Sequence, residues 1–277
     1  MSTSPTTNKP HLSASQLESY CRCPEAYRRR YLDGDIIPPG IAILKGIAFH
    51  RGAEVNMRQK LETRKDLPVT EIVDAAQAAF DESLHGSYVL SPDEQARGPE
   101  AVIGEAIDDA LGMVIVHAKQ QAPDYQPIFV EELVRIELPT SPRDLLGIID
   151  LADDKGRVVD FKTAGKKKSQ GDADDSVQLT VYAAAYHART GAPPTEVRLD
   201  SVVKTKTKTE RQVMASDRGV NDFSALANRI NAVNHGIEAG SFPPATPGAW
   251  WCGPKWCGYW ETCPYVNNQR KALVKED

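Results

Sequence analysis

The stretch LLGIIDLADDKGRVVDFKT, residues 145–163, limits what this chain can fold into more than any other. Leu146, Ile148 and Ile149 lead into Asp150, Asp153-Asp154-Lys155-Gly156 supply a tight polar turn, and Val158-Val159 lead into Asp160-Phe161-Lys162. Apolar β-branched runs on either side of an Asp/Gly turn predict a β-hairpin. Pairing brings Asp150 and Asp160 to the same end of it, and the two-residue repeat of a strand turns Lys162 to the same face as Asp160. Two carboxylates beside a lysine suit a magnesium-dependent phosphodiesterase: hard divalent cations take oxygen ligands, and the lysine can stabilise phosphate charge or orient the attacking water. The plainer reading of the same residues is two strand-end aspartates and a lysine on a solvated edge.

Other segments add candidates. SVQLTVYAAAYHARTG predicts a helix ending at Gly191, on which Gln178 and Tyr182 stand at i and i+4 and share a face. ILKGIAFHRGAEVNMRQKLE predicts a helix carrying Gly46, His50 and Glu54. LSASQLESYCRCPEAYRRRYL opens the ordered chain, with Ser13 or Ser15 as a helix cap, a Ser15-x-x-Glu18 capping box, and Pro24 breaking that helix or opening a second. Residues 69–121 read as helical, interrupted by a loop at HGSYVLSPDEQARGP, and carry no reactive constellation. IFVEELVRIEL reads as a strand, EVRLDSVVKT and TERQVMAS as two more, and a last helix spans about residues 221–239.

Five cysteines are split between the ends: Cys21 and Cys23 early, Cys252, Cys257 and Cys263 late. An odd count without a secretory signal argues against a disulfide framework. The late spacing, Cys-x4-Cys-x5-Cys, is not that of a zinc ribbon, and three local thiolates lack a fourth ligand. Cys23 supplies it if the chain ends meet; buried cysteines beside tryptophans and tetrahedral zinc are the other readings.

Together these motifs resemble the PD-(D/E)XK nuclease superfamily, in which an Asp ends one strand and an Asp/Glu-x-Lys sits on the next. GIID followed by VVDFKT, Gly46-x-x-x-His50 and Gln178-x-x-x-Tyr182 are similar to the RecB-type and CRISPR-associated branch. The resemblance implies an α/β fold: a mixed central sheet flanked by helices, a helical insertion at about residues 55–125, a catalytic core at about 126–215, and an iron-sulfur-stapled subdomain joining 242–264 to 13–32. Residues 12–266 would form one nuclease domain between disordered tails at 1–11 and 267–277.

For the site, the resemblance implies a magnesium or manganese ion held by His50, Asp150, Asp160 and the Phe161 carbonyl, with Lys162 assisting the nucleophile and Gln178 and Tyr182 holding substrate or the lysine. A strand glutamate can approach the metal in such proteins, with Glu132 preferred over Glu131. Cys23, Cys252, Cys257 and Cys263 would hold a 4Fe-4S cluster acting as a staple. The implied activity is that of a DNA exonuclease acting on single strands or DNA ends.

An accessory DNA-end-binding or trimming subunit of a recombination or CRISPR-adaptation complex is the alternative. No Gly-x-x-x-x-Gly-Lys-Ser/Thr phosphate loop occurs, so unwinding would come from a partner such as a helicase or recombinase.

Composition adds boundaries. With 277 residues and 41% hydrophobic content the chain can build a sizeable core. Net charge is −5, so nucleic-acid attraction would have to be local, from Arg28-Arg29-Arg30, Lys166-Lys167-Lys168 or Lys204, Lys206 and Lys208. The absence of a long apolar run or a signal-like start gives the expectation of a soluble, cytoplasmic protein without a membrane partner.

Overall fold

The computed structural model describes residues 9–266. Its centre is a mixed sheet in the order β1-β3-β4-β5-β6, with β2 on the other edge of β3. The strands are β1 (His11–Ser13), β2 (Pro127–Ile136), β3 (Asp144–Asp153), β4 (Arg157–Ala164), β5 (Glu196–Lys204) and β6 (Thr209–Ser216). β1 runs parallel to β3 and β5 parallel to β4; the other pairs are antiparallel. The expected hairpin is β3–β4, closed by a turn in which Gly156 takes φ +76°, a conformation a side chain would strain.

One irregularity in this sheet makes room for chemistry. β1 pairs with Asp144, Leu145 and Leu146 of β3, whereas β4 pairs with Leu151 and Ala152. Residues 147–150 lie between these two partners, where β3 and β4 fork, and Asp150 and Asp160 sit at the root of the fork.

Helices cover both faces, as the alternating apolar strands require. On one face, α3 (Ile41–Thr63), α4 (Val69–Leu84) and α6 (Pro99–Val116) bury Phe49, Met57, Ile72, Phe80 and Val114 against Leu151, Val159 and Phe161. Each such fully buried side chain contributes about 1.5–3 kcal/mol, which holds α3 firmly against the fork. On the other face, α8 (Val177–Thr190) packs Leu179, Tyr182 and Ala183 on Ile149, Ala152 and Val158. Gly147 permits that approach, because a Cβ there would stand 3.1 Å from the Ala185 Cβ. α1 (Ala14–Arg22) and α9 (Val220–Glu238) close a third cluster with Leu12, Leu17, Leu145, Val181 and Ile230.

The chain ends meet. The Glu25 amide at the start of α2 (Pro24–Tyr27) donates to the Pro243 carbonyl, the Tyr20 hydroxyl to Ser241 O, and the Tyr259 hydroxyl to Asp35 O. Arg29 stacks over Tyr259 at 4.5 Å and hydrogen-bonds Thr262.

Some local readings are corrected. The cap of α1 is Ser13, in a box with Gln16, and Ser15 lies inside the helix. The loop before α6 holds a short helix, α5 (Pro92–Arg97), capped by Ser91, and the polar segment after β4 holds α7 (Gln170–Asp174). The N-terminal tail is shorter than expected: His11 is in β1 and Lys9 pairs with Asp144 at 2.7 Å. Residues 1–8 and 267–277, which hold the rest of both expected tails, lie outside the described residues. Among the described residues no helix is long and apolar enough to cross a membrane.

Candidate active site

Asp150 and Asp160 are 9% and 1% exposed. Burial pushes both carboxyls above the ordinary carboxylate range, Asp160 to about 7, with Asp150's like charge adding to the rise and Lys162 opposing it. Lys162 Nζ stands 2.9 Å from Asp160 Oδ1, yet neither oxygen of Asp160 makes a hydrogen bond of acceptable geometry. Two buried oxygens that no donor meets in good alignment are costly in any fold that does not use them. Lys162 itself is desolvated, but the two aspartates outweigh that and raise its pKa, so it is a cation at neutral pH.

The other sequence-predicted residues connect to this pair. Gln178 Oε1 accepts from Lys162 Nζ at 2.9 Å, Gln178 Nε2 donates to the Tyr182 hydroxyl at 2.7 Å, and that hydroxyl donates to Asp150 Oδ1 at 2.9 Å. Asp150 Oδ2 accepts the Phe161 amide at 3.1 Å. A ring of contacts therefore runs from Asp160 through Lys162, Gln178 and Tyr182 back to Asp150. His50 reaches from α3 to place Nδ1 3.8 Å from Asp150 Oδ2. Burial, followed by the Lys162 charge, lowers its pKa, which keeps the imidazole neutral and able to act as a ligand. The Phe161 ring is in the core against His117 and Tyr125.

Two glutamates differ from expectation. Glu132 forms an ion pair with Arg189 of α8 at 3.1 Å and is turned away from the carboxylates. Glu131 is the strand residue near them: Val130↔Leu151 and Glu132↔Ile149 bracket it opposite Asp150. Burial, followed by the charges of Asp150 and Glu54, pushes its pKa up to about 7. Its φ of +48° breaks the two-residue repeat of the strand at a cost of about 1–2 kcal/mol. Glu54 is held by Arg51 and Arg58 at 2.9 and 2.8 Å. Glu18 of α1 was given only a capping role; burial raises its pKa, and Lys162 is the foremost charge acting on it.

The cysteines form a second locus. Cys23, Cys252, Cys257 and Cys263 line one small cavity with Ala26, Ala245 and Trp260, and Cys21 is exposed outside it. Burial raises the Cys257 thiol, and the other three cysteines of the set act on it in the same direction.

Among the described residues no three His, Cys, Asp or Glu side chains stand ready at the ligand distances of one ion. The donor types nevertheless fit. Orphaned carboxylate oxygens and a neutral imidazole suit a magnesium- or manganese-sized cation, and four thiols around one cavity suit a soft metal centre.

A candidate exonuclease from Eubacterium rectale has a similar solved structure: TM-score 0.50 and 13% identity, over 91% of this chain and 92% of that one. That likeness is one of fold. The solved structure of SSO0001 is 17% identical over 76% of this chain and 95% of that one, with a TM-score of 0.35 that carries no argument. No curated protein matches the sequence. The sequence profile of the PD-(D/E)XK nuclease superfamily matches residues 11–264, which contain the fork and every residue of the ring. With that match spanning nearly all of the described structure, the chain belongs to the PD-(D/E)XK nuclease superfamily.

Proposed function

We propose that the chain is a magnesium- or manganese-dependent DNA exonuclease of the RecB-like type, acting on single strands or DNA ends. The observation that carries this reading is the buried Asp150–Asp160 pair, whose Asp160 oxygens lack hydrogen bonds beside a protonated lysine. Asp150, Asp160, His50 and the Phe161 carbonyl would hold the ion, which when bound polarises the scissile phosphate and lowers the pKa of the attacking water. Lys162, as a cation, sets positive charge where negative charge develops on the phosphoryl oxygens. Gln178 holds that ammonium in place. Tyr182 donates to one Asp150 oxygen and the Phe161 amide to the other, and together they fix the carboxylate at the root of the fork. The exonuclease name of the Eubacterium rectale protein supports the same reading.

The alternative of an accessory end-binding subunit is disfavoured by this ring, which no binding role requires. We read residues 12–266 as one nuclease domain, with the helices at 55–125 as the wall of the substrate cleft. The test is cleavage of end-labelled single strands with and without magnesium: the parent cuts, and Asp160→Ala or Lys162→Ala does not while remaining folded. Cleavage by either variant at the parent rate overturns the assignment.

Cys23, Cys252, Cys257 and Cys263 would hold a 4Fe-4S cluster that staples α2 to the tail. Anaerobically purified protein is then brown, with iron and sulfide in equal amounts. Cys23→Ser bleaches it and Cys21→Ser does not; colourless protein with stoichiometric zinc overturns the cluster.

A further inference from the structure

The tail carries a feature that neither the fork nor the cysteines use. Trp250 and Trp256 are 65% and 58% exposed, unusual for rings of this size. They meet edge to face at 5.4 Å, and Trp250 meets Trp251 likewise at 5.6 Å. Arg22 of α1 lies over both Trp250 and Trp251, at 5.5 and 5.3 Å, and Lys255 over Trp256 at 5.4 Å. The Trp251 indole N–H donates to the Arg22 carbonyl, which fixes the cluster to α1. Trp251, Trp256 and Arg22 line a groove of about 310 Å³ together with Glu18 and the cysteines Cys23 and Cys257. Glu18 also lines the neighbouring cleft that passes Ile148, Gln178 and Tyr182. The groove and this cleft share Ser15 and Glu18, so the tail adjoins the Gln178 and Tyr182 side of the candidate active site.

We propose that this aromatic and cationic cluster is a stacking platform for unpaired bases of a single-stranded polynucleotide whose backbone leads on to the fork. Exposed indole faces next to an arginine and a lysine match that ligand: bases stack on the rings while the two cations meet phosphates. Bases of a duplex are already stacked on each other and cannot use the rings, so the platform selects single strands. An apolar protein partner would leave Arg22 and Lys255 without anionic counterparts. The proposal rests on the nuclease reading for where the strand leads, and not for the binding itself.

The test measures a fluorescein-labelled oligothymidylate and the matching blunt duplex binding to full-length, anaerobically purified protein, with calcium replacing magnesium. Tryptophan fluorescence is followed alongside. Trp250→Ala and Trp256→Ala each weaken single-strand binding about tenfold and reduce the quench, given the worth of one base-aromatic stack. The Phe variants recover most of the affinity. Duplex binding and the hydrolysis of bis(p-nitrophenyl) phosphate, a diester without bases, stay at parent levels. Ala variants that bind single strands like the parent overturn the platform, as do Phe variants as weak as the Ala ones, or an oligonucleotide that causes no quench. A parent that binds through these rings but hydrolyses no diester overturns the nuclease reading and leaves the platform standing.

Discussion

Asp160 and Asp200 lie on neighbouring strands of one sheet, 1% and 0% exposed, and their surroundings are opposite. Asp200 accepts from Gln121 Nε2 at 2.8 Å, the Tyr125 hydroxyl at 2.7 Å and Arg211 Nη2 at 2.6 Å. Gln121 in turn accepts from His117 Nδ1 at 2.9 Å, and burial holds His117 neutral with a pKa of about 4. This network fastens the helical wall to the sheet. Asp160 has the lysine's charge, a second aspartate beside it, and no hydrogen bond to either oxygen. Equal burial therefore serves two ends. A buried carboxylate with all its donors in place is a structural joint; one met only by a poorly aligned ammonium and crowded by like charge is where we propose that the cation binds.

The sharpest way to break this contrast is to remove each carboxylate in turn. Asp160→Ala should reduce cleavage by about 10²–10³-fold or more, the scale of losing one electrostatic catalytic group, with little change in unfolding. Asp200→Ala should cost about 3–5 kcal/mol in urea unfolding, because it removes one of the two acidic partners of Arg211 and leaves the Gln121 amide and the Tyr125 hydroxyl without their carboxylate acceptor. Similar stability losses in both variants would end the distinction.

Tyr182→Phe sharpens it at smaller scale. The hydroxyl lowers the pKa of Asp150, so its loss moves the acid limb of the pH-rate profile upward and slows cleavage about tenfold, in line with one hydrogen bond to a charged group. An unchanged acid limb would mean that Tyr182 only packs.

The smallest effect is on stability. Folding raises the pKa of Asp160 to about 7, so the metal-free native state holds that proton more tightly than the unfolded chain does. The stability this contributes is full below about pH 4 and is lost as pH rises through about 7. Asp160→Asn cannot lose it. The variant should melt a few degrees above the parent at pH 8 without metal, and the gap should close toward pH 4. A gap of the opposite sign, or one that does not vary with pH, would remove the raised pKa of the buried Asp160 carboxyl.

How much of this was legible depended on range. The hairpin, its turn and the shared end of Asp150 and Asp160 follow from a two-residue repeat over nineteen residues, 145–163, and Gln178 and Tyr182 follow from a helical one. Glu131 did not: the preference for Glu132 came from the family resemblance, and the φ of +48° that interrupts the strand at Glu131 has no local sequence signal. The Asp200 network was invisible for another reason: its partners come from residues 117–125 and 211, and no local pattern joins them. Cys23 was chosen over Cys21 through the family resemblance, whereas the cavity that gathers it with Cys252, Cys257 and Cys263 exists only because the ends pack together.

The sequence by itself therefore determined the elements and the chemistry they carry, since period, turn residues and side-chain type are local properties. Tertiary structure alone decided which buried acid is satisfied and which is left wanting. It also decided which glutamate turns inward, and that Trp251 and Trp256 line a groove that shares Ser15 and Glu18 with the cleft beside Gln178 and Tyr182. Those are questions of which distant groups share a low-dielectric space, and burial and charge act through space rather than along the chain.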